Sequence, residues 1–138
     1  MEESVPIEGL FEIHLIVHSH DEIKLRFFIN EHYTERNKQW KRMRLYCAQT
    51  FYGKHPNQPM LTCWIKGNET TALREGKTLK EMMKYYTIRV LRLKVESLAN
   101  ANIGVPDRAI DDHYFEYHWK VGIKSWNEWK SLEIICAN

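Results

Sequence analysis

The segment Phe11 to Val17, FEIHLIV, alternates. Phe11, Ile13, Leu15 and Val17 fall on one side of an extended chain, and Glu12, His14 and Ile16 on the other. A two-residue period predicts a β-strand with one buried face. The same alternation returns in FEYHWKV, where Phe115, Tyr117, Trp119 and Val121 oppose Glu116, His118 and Lys120. It returns again in IRVLRLKVES, where Leu91, Leu93 and Val95 oppose Arg92, Lys94 and Glu96. Each strand has one apolar and one charged side, as an antiparallel sheet covered by helices on a single face requires. Two further strand-like runs, RMRLYCAQTF and PMLTCWIKG, flank the turn-rich YGKHPNQP.

Helical spacing separates these runs. SHDEIKLRFFINEH opens with Ser19 and carries Glu22 three residues later, a capping-box pattern. Ile23 and Phe27, four apart, predict its buried stripe. The alternation of Ile23, Leu25 and Phe27 keeps a strand as the alternative. In NETTALREGKTLKEMMKYY, Leu73, Leu79, Met82 and Met83 line a buried face, with Gly76 weakening the middle. SWNEWKSLEIICA has a second capping box in Ser125 and Glu128, followed by Trp129, Leu132 and Ile135 at three-residue spacing.

The order is therefore strand, helix, strand, strand, helix, strand, then one more strand and helix. The first six elements match the β-α-β-β-α-β split unit called ferredoxin-like. The expected fold class is α+β: a ferredoxin-like antiparallel sheet with helices on one face, plus an extra strand and helix resembling a partial second repeat. A chain of 138 residues predicts one domain, 1–138, with a long loop at 97–112 before the second F-E-x-H strand. A strand completing the second repeat would lie past the end of the chain or come from a partner, which makes a homo-oligomer one expectation.

Composition narrows the classes. A hydrophobic share of 43% and a charged share of 28% are ordinary for a globular protein. A net charge of +2 carries no nucleic-acid signal by itself. The basic run RNKQWKRMR does so locally: Arg36, Lys38, Lys41, Arg42 and Arg44 surround Trp40, a pattern able to contact RNA phosphates and stack on a base. Cys47, Cys63 and Cys136 form no C-x-x-C pair, which predicts a reduced intracellular setting, cytoplasmic in the simplest case, and a buried packing role for Cys47. The acidic start, MEESVPIEGL, has no targeting character, and no run approaches the roughly 20 apolar residues that span a bilayer, so no membrane partner is expected.

The candidate chemistry lies in the repeated F-E-x-H-x-x-V. If both copies are strands of one sheet, Glu12, His14, Glu116 and His118 emerge away from the core, and Arg92, Lys94 and Glu96 join them. Histidine moves protons near neutral pH. A neighbouring Glu fixes its tautomer. Arg92, Lys94 and Lys120 would hold a phosphate or carboxylate. Alternate strand residues stand roughly 6–7 Å apart, so Glu12 and His14 alone make a poor ligand set, and no metal or cofactor is expected. His18 and His20 read as a polar turn. No phosphate-binding glycine loop, nucleophile elbow or metalloprotease helix is present.

Paired histidine strands, one in each half of a pseudo-symmetric α+β chain, resemble the two-histidine phosphoesterases. That resemblance implies acid–base hydrolysis of a phosphate ester by His14 and His118. The family pattern is H-x-[S/T]. Here His14 is followed by Leu15 and Ile16, and His118 by Trp119 and Lys120, so the hydroxyl is missing from both copies. The paired F-E-x-H strands also resemble ferredoxin-like proteins of uncharacterised function. Two function classes follow. One is a small enzyme or binding protein for an anionic ligand, with Glu12, His14, Glu116 and His118 at its centre. The other is a non-catalytic interaction module, RNA-facing through the basic run, in which the motifs are structural.

Overall fold

The structure, a computed structural model, describes residues 9–32, 40–50, 53–97, 116 and 118–137. The chain divides into two compact units, Met1–Val105 and Pro106–Asn138. In the first, β1 (Gly9–Val17) leads through a 3-10 turn (Ser19–Asp21) into α1 (Glu22–His32). Then come β2 (Lys41–Gln49), β3 (Asn57–Gly67), α2 (Glu69–Tyr85) and β4 (Val90–Glu96). The second unit holds α3 (Trp126–Ala137). The class is α+β.

The four strands form one antiparallel sheet in the order β2-β3-β1-β4. This order fits the split β-α-β-β-α-β unit, in which each crossover helix skips one strand. β1 is central, paired to β3 on one side and β4 on the other. Its apolar side is the core: Ile13, Leu15 and Val17 pack with Leu61, Cys63 and Ile65 of β3, Leu25, Phe28 and Ile29 of α1, and Leu79 and Met83 of α2. Both helices therefore cover the same face.

Several expectations need correction. The described residues of the second F-E-x-H copy, Glu116 and 118–121, contain no strand. A strand needs a ladder partner for its backbone groups, and no pairing among the described residues includes these positions. Residues 98–112, most of the expected loop, lie outside the described residues. In α1 the buried stripe is Leu25, Phe28 and Ile29, whereas Ile23 and Phe27 are 69% and 64% exposed. A 3-10 turn leads into the helix, and His18, not Ser19, caps that turn through its Nδ1. In α2 the buried set is Ala72, Glu75, Gly76, Leu79 and Met83, and Leu73 is exposed. Cys47 is exposed rather than in the core: it shares a side of β2 with Met43 and Leu45 but lies further along this edge strand.

Gly76 has a different role from the expected one. A Cβ there would stand 2.8 Å from Leu93 Cδ1, so its bare backbone lets α2 lie close to β4. Among the described residues, Arg42 and Thr87 carry a left-handed backbone without being glycine. Arg42 (φ 52) sits in a bulge where Arg42 and Met43 share the interval between the Lys41–Trp64 and Arg44–Thr62 pairs, and Met43 is thereby turned into the core. Thr87 (φ 55) ends α2 in a Schellman motif, with Thr87 N–H donating to Lys84 O and Ile88 N–H to Met83 O.

Candidate functional site

On the sheet face turned away from α1 and α2, register arranges side chains in cross-strand rows. Arg44, Thr62, His14 and Lys94 form one row across β2, β3, β1 and β4. Trp64, Glu12 and Glu96 form the next, and Tyr46, Met60, Ile16 and Arg92 the row on the other side. Neighbouring strands are about 4.8 Å apart, so the His14 row spans about 14 Å between its outer backbones. The row is set by the sequence period, since Glu12, His14 and Ile16 must face away once Ile13, Leu15 and Val17 are buried.

The contacts centre on His14, whose side chain is only 14% exposed. Its Nε2 lies 3.3 Å from Glu96 Oε2 and 3.7 Å from Glu12 Oε1. Its Nδ1 is buried without a hydrogen-bond partner. The other oxygen of Glu96, Oε1, lies 2.6 Å from Lys94 Nζ. That contact is an ion pair lacking hydrogen-bond alignment, which is why Oε1 is also unsatisfied as an acceptor. Lys94 thus spends its charge on Glu96, and its expected role as an anion contact is weakened. Arg92 and Arg44 are exposed on the same face.

The strand that supplies Glu96 and Lys94 is fixed at its start by a polar corner. Asp21, 2% exposed, accepts hydrogen bonds from Arg89 N–H and Nε at 2.9 Å each and from Arg89 NH2 at 3.3 Å. The Arg89 hydrogen bonds hold the Asp21 carboxyl down at about 2 against the opposing effect of burial. Lys24 Nζ closes the corner on Thr87 O and Oγ1 at 3.3 and 3.1 Å. This corner, and the close approach at Gly76, place β4 against β1.

The second candidate pair lies in the other unit. His118 Nε2 is 2.9 Å from Glu116 Oε2, and the His118 side chain is 73% exposed. Lys120 is exposed there as well. A Glu–His pair therefore forms in each unit, but only His14 has a half-buried setting.

Other chemistry-bearing residues are accounted for. The Cys63 thiol is pushed up to about 12, first by burial. Burial and then the Glu22 carboxylate, which accepts from Cys47 Sγ at 3.2 Å, raise the Cys47 thiol. Neither is an activated nucleophile. His18, His20 and His55 cluster, with ring centroids 4.7 and 5.6 Å from His18. Desolvation, then Arg89, lowers the His18 pKa. Since His18 Nδ1 accepts from His20 N–H at 3.1 Å, the neutral ring carries its proton on Nε2 and has no lone pair left for a metal. Trp40 packs against the core and donates through Nε1 to Glu75 Oε2 at 3.3 Å, so it is not the expected stacking platform. Residues 33–39 of the basic run lie outside the described residues.

Thr62, Arg44 and Glu96 gain their place at the site only from strand order. Glu96 was visible as a polar position of its strand, but its neighbour was not. The signal for Thr62 is the same alternation: Leu61 and Cys63 lie on the core side and Thr62 on the other, where it is nonetheless buried. No family model, curated protein or solved structure matches the chain. Among the described residues, no helix is long and apolar enough to cross a membrane.

Proposed function

We propose that the protein is a small-ligand binding domain, and that its working surface is the sheet face carrying His14. The row Arg44, Thr62, His14, Lys94 is the observation that carries this reading. It sets an imidazole, the Arg44 cation and a Lys94 paired with Glu96 around the buried Thr62 on one rigid sheet, groups of the kind that seat a phosphate or carboxylate. Thr62 stands directly across the ladder from His14, so a hydroxyl absent from the His14 strand comes from its neighbour. Arg92, opposite Ile16, extends the cationic side. Hydrolysis of a phosphate ester belongs to the same reading, with His14 as the proton-handling group.

Titration of the labelled protein with inorganic phosphate, and separately with acetate, tests it. Amide shifts should concentrate at Arg44, Thr62, His14 and Lys94. Arg44→Ala and Arg92→Ala should each weaken binding several-fold and reduce its salt dependence. Shifts scattered over the surface, or none, would overturn the reading.

A second reading, a non-catalytic interaction module, draws on α1, where Ile23 and Phe27 form an exposed apolar pair one turn apart. Ile23→Ser with Phe27→Ser should then abolish self-association measured by light scattering. A protein that is monomeric before and after the change removes that support for a homo-oligomer.

A further inference from the structure

Glu12 and Glu96 are direct cross-strand partners on β1 and β4. Like charges directly opposite each other weaken a sheet unless something compensates them. Lys94 compensates the Oε1 side of Glu96. On the other side, Glu96 Oε2 and Glu12 Oε1 both turn towards His14 Nε2, which places an imidazole between two carboxylates. One donor atom from each of the three residues lies within 4.8 Å of the other two.

The distances point to an occupant. At 3.3 and 3.7 Å, the imidazole–carboxylate contacts are longer than N–H···O hydrogen bonds of about 2.7–3.2 Å. They match the edges of a coordination tetrahedron, which are about 3.4 Å for metal–ligand bonds of about 2.1 Å. We propose that Glu12, His14 and Glu96 bind a divalent transition-metal ion of the Zn2+ or Mn2+ type, one donor atom each. This rests on the reading of the His14 face as the working surface and names the occupant of its acidic end.

The donor set explains the choice of ion. An imidazole suits zinc and its neighbours, and two carboxylates suit manganese, so the mixed set selects a borderline cation over Ca2+ or Mg2+. Three protein donors leave at least one coordination position open to a ligand or water. Lys94 is the positioning residue: by holding Glu96 Oε1 it keeps Oε2 turned to His14. Three donors on two directly paired strands need little rearrangement to bind, because the ladder already holds them in register.

The test uses the full chain stripped with EDTA. Substoichiometric Mn2+ should broaden the amide signals around 12–14 and 94–96 before any others. Zn2+ titrated by calorimetry should bind at least ten-fold more weakly to Glu12→Gln and to Glu96→Gln. Broadening centred on His18, His20, His55 or His118, or unchanged Zn2+ affinity in both variants, would overturn the proposal. If a variant fails to fold, the Mn2+ map of the unchanged protein decides alone. Phosphate shifts along the His14 row in EDTA, without Mn2+ broadening there, overturn the metal site and leave the anion reading standing. Broadening at that site without any phosphate response does the reverse.

Discussion

FEIHLIV and FEYHWKV share a seven-residue pattern, but their described residues differ in structure. The first is the centre of a four-stranded sheet, with a ladder on both sides and Ile13, Leu15 and Val17 sealed in the core. In the second, Glu116 and 118–121 carry no strand, and Trp119 and Val121 are 88% and 54% exposed. Both copies bring a Glu carboxylate to the histidine, so a local pair follows from two-residue spacing. Around His14, Glu96, Lys94 and Thr62 are supplied across ladders from neighbouring strands. Alternation states which face a strand would bury; it does not supply the partner that makes it a strand.

The comparison can be broken by matched truncations. Ile13→Ala should cost about 3 kcal/mol in urea unfolding, the price of a core cavity. Val121→Ala should change stability by less than about 0.5 kcal/mol. Equal losses at both positions would show that the second copy also packs as a strand.

The corner that holds β4 beside β1 gives the next largest effect. The Asp21 carboxyl is depressed to about 2 from 3.8. A lowered folded-state pKa stabilises fully above the unfolded value and is lost as pH falls through the folded one. Asp21→Asn should therefore lose about 1 to 2 kcal/mol at neutral pH, after allowance for water around the half-exposed Arg89. The gap to the unchanged protein should close between about pH 4 and pH 2. A gap that persists below pH 2 would assign the effect to packing rather than charge.

Gly76→Ala sharpens the contrast from the helix side. Alanine is the better helix former by about 1 kcal/mol, yet its methyl would meet Leu93 Cδ1 at 2.8 Å. A net loss of about 1 kcal/mol is expected, turning to a gain in a Leu93→Ala background. A gain in both backgrounds would show that α2 and β4 are not tightly apposed.

The smallest effect has the opposite sign. Thr87→Gly relieves a left-handed, β-branched residue in the connection from α2 to β4. Thermal unfolding should show a gain of about 0.5 kcal/mol, since loss of the Lys24 contact to Thr87 Oγ1 offsets part of the relief. A loss would mean that this contact outweighs the backbone strain.

By itself, the sequence determined the four strands, the helix α2, and the outward direction of Glu12, His14, Arg92, Lys94 and Glu96, while it left α1 open between helix and strand. These follow from two-residue and helical periods, which depend on near neighbours alone. The capping of α3 was legible for the same reason: Ser125 Oγ accepts from Glu128 N–H at 3.2 Å, and Glu128 reaches back, though to Lys124 N–H. Only the tertiary structure decided which face of α1 was buried: Leu25, Phe28 and Ile29 pack into the core, and Ile23 and Phe27 are exposed. It also turned Gly76 from a weak point in a helix into the place where α2 meets Leu93. Above all, it put Glu96 opposite Glu12 and Thr62 opposite His14. Those neighbours lie many residues apart, and strand order, not local pattern, brings them together.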